Sequence, residues 1–176
     1  MKKRLMCFVI CLALIVCLSA CGGNEDSANS SPENDITETN SPVAEDAFSA
    51  KDVSLTIGGI IKKGDLDPLG TPADIQTAPS CHYDGNDTIY IYEGLTIYTY
   101  ADKSDEVVYL IEITDASYSA HKDTKVGMTV DEIKSIMGEP ADETAIAVIY
   151  DISDDTTLRY SVSDSVVTMI EYEENI

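Results

Sequence analysis

One hairpin constrains the architecture more than any other segment, and it reads Ile89-Tyr90-Ile91-Tyr92-Glu93-Gly94-Leu95-Thr96-Ile97-Tyr98-Thr99-Tyr100. Isoleucine or leucine alternates with tyrosine or threonine on both sides of Glu93-Gly94. Alternation with a period of two is typical of strands that press one face against a core. We therefore expect two antiparallel strands joined at Glu93-Gly94.

The length of this loop decides which side chains share a face. A two-residue loop pairs Tyr92 with Leu95 and mixes the two sets of residues. A three-residue loop with Gly94 left-handed pairs Ile91 with Leu95, and the sequence favours it because it separates a core face from an amphipathic one. The candidate binding face then consists of Tyr90, Tyr92, Tyr98 and Tyr100. Tyrosine offers large contact area at small entropic cost; the alternative is that these residues only fill half-buried strand positions, for which tyrosine has high propensity.

Similar β-rich runs extend from this hairpin in both directions. Predicted strands lie at 53–61, 88–92, 95–100, 106–114, 145–152, 156–162 and 166–173. The clearest helix begins after Thr129, because Thr129 and Glu132 complete a capping box, and it ends at Gly138. The stretch 64–70 contains Pro68 and therefore holds at most a single turn.

Two segments of the folded region recur in the same order, which indicates internal duplication. Leu69-Gly70-Thr71-Pro72-Ala73-Asp74 matches Met137-Gly138-Glu139-Pro140-Ala141-Asp142, and Val107-Val108-Tyr109-Leu110-Ile111-Glu112-Ile113 matches Val166-Val167-Thr168-Met169-Ile170-Glu171-Tyr172. The predicted fold class is α+β, with two tandem helix-plus-antiparallel-meander units forming a sheet with short helices on one face. Unit one spans 51–115 and unit two spans 116–176.

The helix motif also carries a family resemblance. Gly127-Met128-Thr129-Val130-Asp131-Glu132-Ile133, running on to Met137-Gly138-Glu139-Pro140, resembles the signature of small lipoproteins of the SmpA/OmlA (BamE-like) type and of β-lactamase inhibitory protein-like repeats. The whole two-unit region is similar to uncharacterised lipoproteins of Gram-positive anaerobes. BamE-like proteins have one unit and act in an outer membrane, whereas this chain has two units and a long acidic tether, so the assembly-factor role is not carried over.

The N-terminus has the layout of a secretory signal peptide over residues 1–20. Lys2, Lys3 and Arg4 precede an apolar run, and Leu18-Ser19-Ala20-Cys21 follows it. This tetrapeptide resembles the bacterial lipobox, which implies cleavage before Cys21 and a diacylglyceryl thioether on its sulfur. The expected location is the extracytoplasmic face of the cell membrane, held by the lipid anchor; the other interpretation is an uncleaved membrane helix, for which the run is slightly short.

The segment 21–50 is predicted to be a disordered acidic tether, because its Ser, Asn, Thr, Glu, Asp and Pro residues bury too little apolar surface to fold. The signal peptide carries three of the 11 basic residues and none of the 32 acidic ones, so the mature charge is 8 − 32 = −24. This charge excludes nucleic acid as a partner. Cys81 is the one cysteine left beside Cys21, so a disulfide within the mature chain is excluded. Cys81 is expected to be a small buried hydrophobe; the alternatives are a reactive thiol or an intermolecular disulfide.

Catalytic constellations are sparse, and no cofactor motif is present. His82 neighbours Cys81, but adjacent strand residues point to opposite faces, so they form a poor nucleophile and base pair. Asp84, Asn86 and Asp87 supply oxygens in one turn and are weak metal candidates, without the spacing of an EF-hand loop. We therefore expect a non-enzymatic binding or envelope-assembly module with a protein or cell-wall partner; the alternative is a cation- or solute-responsive accessory lipoprotein that uses its acidic turns.

Overall fold

The computed structural model describes residues 44–81 and 83–175. The predicted signal peptide, Cys21, the tether as far as residue 43 and His82 lie outside the described residues. The predictions for them stay predictions.

Short strands dominate the described part of the chain, and they are joined by tight turns. The strands are β1 (Phe48–Ala50), β2 (Val53–Leu55), β3 (Ile60–Ile61), β4 (Asp74–Pro79), β5 (Asn86–Tyr92), β6 (Leu95–Asp102), β7 (Asp105–Ile113), β8 (Asp142–Glu143), β9 (Ala147–Asp151), β10 (Thr156–Ser163) and β11 (Val166–Glu174). The helix α1 spans Val130–Met137, and single 3-10 turns lie at Asp67–Leu69 and His121–Asp123. No helix among the described residues has the length and apolar character needed to cross a bilayer.

Nine of these strands form one antiparallel sheet. Its order is β4-β5-β6-β7-β11-β10-β9-β8, and β3 pairs with the first half of β7. The pairing of β7 with β11 joins the two halves, since Ile170 lies opposite Ile113 and Glu171 lies opposite Glu112. The strands β1 and β2 form a separate hairpin.

The predicted fold class is wrong. The described residues do not form α+β units of a helix plus a meander; they form a mostly antiparallel sheet that runs without interruption through both halves. One reason is that the stretch around Pro68 makes only a 3-10 turn, which leaves α1 without a counterpart. The other reason is that β7 and β11 join through backbone hydrogen bonds, which side-chain patterns do not encode.

The helix α1, the one α-helix among the described residues, follows its prediction closely. The backbone N–H of Thr129 donates to Oε2 of Glu132 at 2.8 Å, and the backbone N–H of Glu132 donates to the Thr129 hydroxyl oxygen at 3.3 Å, which confirms the capping box. The bonds that the backbone N–H and the hydroxyl of Thr129 donate to the Glu132 carboxylate hold the pKa of Glu132 below its usual range. The helix ends as predicted at Gly138, where φ is 92°. Ile133 is fully buried and anchors the helix on the sheet.

One face of the sheet, the inner face, carries the core. Its largest buried side chains come from the central strands and include Ile97, Ile111, Leu158, Tyr160, Ile170 and Tyr172. Phe48 of β1 is also fully buried, with its ring edge-on to Tyr172 at 6.1 Å. The predicted boundary of the tether at residue 50 is therefore too late, because Phe48–Ala50 already form a strand that packs on the core.

Candidate functional site

The β5–β6 hairpin has the two-residue loop, and this register places the four tyrosines of the predicted binding face on two different faces of the sheet. Tyr92 lies opposite Leu95, and Tyr90 lies opposite Ile97. Gly94 takes a φ of 75°, a left-handed conformation that glycine adopts at little cost in this tight turn. The prediction that Tyr90, Tyr92, Tyr98 and Tyr100 share a face is therefore wrong, because cross-strand partners point to the same side of a sheet.

Tyr90 and Tyr92 belong to the inner face. Tyr92 is 7% exposed and packs in the core beside Leu95. Tyr90 is half-buried, and its hydroxyl donates to Oε2 of Glu106 at 2.7 Å. Burial and then this hydrogen bond raise the pKa of Tyr90. Both residues are therefore held within the fold and are poorly placed for a partner.

Tyr98 and Tyr100 lie on the opposite, outer face, where two further tyrosines join them. Together these residues form what we call the tyrosine cluster: Tyr83, Tyr98, Tyr100 and Tyr109. Tyr83 stacks on Tyr100 with ring centroids 3.6 Å apart and planes inclined by 6°. Tyr109 lies 5.6 Å from Tyr83, 6.1 Å from Tyr98 and 6.2 Å from Tyr100, centroid to centroid, so it contacts all three.

A β-bulge brings Tyr109 into this cluster. The pairing of β6 with β7 shifts between Tyr98 and Thr99, so that Tyr98 lies opposite Leu110 while Thr99 lies opposite Val108. Tyr109 is the extra residue between these two pairs. A bulge re-aims side chains relative to regular alternation, and here it turns Tyr109 toward the outer face, beside Tyr98 and Tyr100.

Carboxylates hold three of the four hydroxyl groups in the cluster. The hydroxyl of Tyr83 donates to Oε2 of Glu174 at 2.6 Å, and that of Tyr98 donates to Oε2 of Glu112 at 2.7 Å. The hydroxyl of Tyr109 donates to Oδ2 of Asp87 at 3.0 Å. Burial, and then the bond to the carboxylate, raises the pKa of each tyrosine, to about 12 for Tyr109. These tyrosines therefore remain neutral donors in ordinary buffers.

The carboxylates continue beyond the cluster as a row on the outer face. Glu112 of β7 lies directly opposite Glu171 of β11. Burial, together with the nearby charges of Glu173 and Glu112, raises the pKa of Glu171. Arg159 offsets part of this charge through an ion pair with Glu173, whose N···O distance is 2.8 Å. The outer face therefore combines aromatic rings with closely spaced negative charge.

Asp87 differs from the other carboxylates because it is deeply buried. The residue is 8% exposed, and in the sheet it lies opposite Tyr100 on β6 and Ala78 on β4. Its Oδ2 accepts the Tyr109 hydroxyl, whereas its Oδ1 is buried and has no hydrogen-bond partner among the described residues. A buried oxygen of this kind is rare, since nearly all buried polar groups are paired.

The other predicted site residues are dispersed. Asp84 and Asn86 are exposed while Asp87 is buried, and among the described residues no group of three or more His, Cys, Asp or Glu side chains is arranged to hold a metal ion. Cys81 is exposed, so the prediction that it is a buried hydrophobe is wrong. Its position in the loop between β4 and β5 explains this, because that loop runs outside the core.

Sequence reasoning missed Tyr83 and Tyr109. Tyr109 sits in a continuous run of apolar and aromatic strand residues, 107–111, which does not show where a bulge falls. Tyr83 lies in a loop, and a loop has no periodicity from which to infer the face that its side chain covers. The only available signal was compositional, because all ten tyrosines of the chain lie in its folded region.

The fold and the site define a class of protein: an antiparallel sheet with its core and its one described α-helix on the inner face, and tyrosines and carboxylates on the outer face. No family model matches the chain, and no curated protein matches it. Among solved structures the chain is similar to a DUF4309 family protein (YjgB) from Bacillus subtilis subsp. subtilis str. 168. The two share 15% sequence identity over 74% of this chain and 89% of that chain, with a TM-score of 0.48. A likeness at this level carries no argument about function.

Proposed function

We propose that this protein is a membrane-anchored, extracytoplasmic binding module, without enzymatic activity, that docks a basic protein partner on the outer face of its sheet. The observation that carries this proposal is the tyrosine cluster with its carboxylates. It lies opposite the face on which the core and α1 pack, and its four rings are half-buried in the isolated chain.

The composition of the outer face suits a protein partner. Tyrosine is enriched at interfaces because its ring buries a large area while its hydroxyl remains paired. In the cluster the hydroxyls of Tyr98 and Tyr109 are already held by Glu112 and Asp87, so these rings lose little side-chain freedom on binding. Rigid aromatic anchors of this kind favour the protein over the cell-wall glycan as the partner.

The negative charge of the outer face indicates that the partner is basic. The chain carries 32 acidic and 11 basic residues, and on the outer face Glu112 and Glu171 lie side by side. A partner that brings Lys or Arg side chains relieves the repulsion between these carboxylates and gains attraction at long range. An acidic partner would increase the repulsion between the carboxylates and would be repelled at long range.

The lipid on Cys21 is part of the same proposal. The lipobox-like Leu18-Ser19-Ala20-Cys21 supports it. Each buried methylene of an acyl chain contributes about 0.8 kcal/mol to anchoring, so two chains hold a domain stably at a membrane where one does not. Growth with an alkyne-tagged fatty acid should label the wild-type protein, and Cys21→Ser should abolish both the label and the recovery in the membrane fraction. A labelled Cys21→Ser protein contradicts the anchor.

Site-specific photo-crosslinking in intact cells tests the binding face. A benzophenone amino acid at position 98 should give a crosslinked product that protease digests and that cell-wall hydrolases leave intact. Matched controls are positions 136 and 146, where Ile136 is 38% exposed and Ile146 is 72% exposed, both away from the cluster. Equal crosslinking at all three positions, or none at position 98, refutes the proposed face. A crosslinked product that only wall hydrolases digest shows that the partner is the cell wall and not a protein.

A further inference from the structure

In the tyrosine cluster, one carboxylate oxygen of Asp87 receives no hydrogen bond from the described residues. Asp87 is 8% exposed, its Oδ2 accepts the Tyr109 hydroxyl, and its Oδ1 is buried with no hydrogen-bond partner in the part of the chain that the structure describes. Leaving a buried charged acceptor unpaired is unfavourable, because the carboxylate has lost its water without gaining a replacement. A group that donates to Oδ1 would compensate for that loss, and among the described residues none does so.

The surroundings of Asp87 narrow the chemistry of the missing donor. The rings of Tyr83, Tyr100 and Tyr109 lie within 3.6 to 6.2 Å of one another, centroid to centroid, and Asp87 adjoins them, bonded to the Tyr109 hydroxyl and opposite Tyr100 in the sheet. Electron-rich ring faces attract a cation, and a carboxylate beside them adds negative charge. A cationic donor therefore gains from both elements, whereas a neutral one gains only the hydrogen bond.

Because Asp87 offers one unbonded carboxylate oxygen, the different kinds of cationic group do not fit it equally well. A guanidinium group binds a carboxylate best through both oxygens at once, and Oδ2 of Asp87 is already occupied by Tyr109. A quaternary ammonium has no N–H and cannot pair Oδ1. A primary ammonium is a compact charge with three donors, so it can bond to one oxygen and present its remaining surface to the rings.

We propose that Asp87, with Tyr83, Tyr100 and Tyr109, forms a recognition pocket for the ammonium group of a single lysine side chain on the protein partner. This inference rests on the proposed function, because it names the group that the outer face takes from its partner. The pocket adds specificity to a face whose other contacts are general.

Entry to the pocket requires one ring to move, and Tyr83 is the ring best placed to do so. It is carried by the loop between β4 and β5, whereas Tyr100 and Tyr109 are carried by the strands β6 and β7. Rotation of Tyr83 breaks, among its contacts, the ring contacts with Tyr100 and Tyr109 and the bond to Glu174, while Tyr100 and Tyr109 stay in place on their strands. The resonances of the Tyr83 ring should therefore respond to the ligand.

The test is an NMR titration of the folded chain with tyrosine rings labelled, using three probes: N-acetyl-lysine methylamide, N-acetyl-arginine methylamide and choline. The lysine probe should shift the Tyr83 and Tyr109 rings and leave the ring of Tyr160, which is buried on the inner face, unchanged. It should bind at least tenfold more tightly than either of the other probes. Asp87→Asn should reduce its affinity at least tenfold, and Asp84→Asn, which removes the same charge from an exposed neighbour, should change it less than twofold.

Each contrary result overturns the pocket. Equal binding of the three probes, or equal weakening by Asp87→Asn and Asp84→Asn, shows general attraction of cations, and no shift at tens of millimolar lysine probe shows no pocket. A comparison of the NMR spectra and of the melting temperatures of the two Asn variants confirms that both are folded. Crosslinking at position 98 is measured separately, so its success alongside a failed titration rejects the lysine pocket and retains the docking face, whereas failure of both rejects the proposed function.

Discussion

Replacing Gly94 by alanine tests the turn that sets the register of β5 against β6. Gly94 has a φ of 75°, and a Cβ added there would overlap Cβ of Asp115 and lie 3.4 Å from its Cα. Gly58 provides a matched control, because its φ is 74° and a Cβ added there meets nothing within 4 Å. The two substitutions therefore share one backbone strain and differ only in the contact with Asp115.

The magnitudes follow from these two contributions. A left-handed conformation costs an L-residue about 1–2 kcal/mol relative to glycine, and this should be the whole effect of Gly58→Ala. Overpacking adds about 1–3 kcal/mol where a neighbour must shift. The carbonyl of Gly94 accepts the Thr114 N–H at 2.9 Å, so the segment that holds Asp115 cannot move away without straining that bond. Gly94→Ala should therefore lower the free energy of unfolding by about 2–5 kcal/mol.

Thermal and urea denaturation measure both effects. One kcal/mol corresponds to a change in Tm of about 4 °C for a domain of this size, so Gly94→Ala should melt well below Gly58→Ala. The double variant Gly94→Ala with Asp115→Gly, compared with both single variants in a double-mutant cycle, isolates the contact. A coupling near zero, or equal melting of the two alanine variants, refutes the argument.

Three further outcomes are expected. Ser165→Gly should stabilise the protein by about 0.5–1 kcal/mol in urea denaturation, because Asp164 and Ser165 form a two-residue turn with φ of 52° and 63°, which glycine adopts without strain; a loss of stability contradicts this. Stability should fall as the pH rises from 10 to 12, because burial and then the bond to Asp87 raise the pKa of Tyr109 in the folded protein from 10.0 to about 12, so its contribution is complete below pH 10 and is lost through pH 12. Tyr83, Tyr90 and Tyr98 contribute in the same direction, so Tyr109→Phe should make the fall of Tm with pH less steep, and an unchanged profile contradicts the raised pKa of Tyr109. Exposed Cys81 should react with a thiol reagent in the native protein as completely as in urea, and protection in the native state would show that the loop is packed differently.

Local signals identified the elements correctly where the stabilising contacts are themselves local. The capping box of Thr129 and Glu132 and the stop at Gly138 involve residues within one or two helical turns, so the bounds of α1 follow from the sequence. Alternation similarly located β5, β6, β10 and β11, since period two reports a strand whatever its partner is. Phe48 had no such pattern around it, and its burial depends on Tyr118 and Tyr172, which are distant in the chain.

The candidate site depended on choices that alternation leaves open. Both loop lengths at Glu93-Gly94 keep each strand alternating, and what separates them is whether Tyr92 packs in the core, where it is 7% exposed. The bulge that turns Tyr109 outward, and the loop that lays Tyr83 on Tyr100, also leave no mark on their own segments.

The amino-acid sequence by itself determined the strands β5 to β7 and β9 to β11, the helix α1, the excess of negative charge and the lipobox-like motif that ends in Cys21. Tertiary structure alone decided that β7 pairs with β11 to make one sheet, which tyrosines share a face, and that Asp87 is buried beneath them. The physical reason is range. Caps, turns and alternation are energies of neighbouring residues, whereas register and strand order are set by the sum of contacts across the whole sheet, in which each residue contributes too little to be recognised alone.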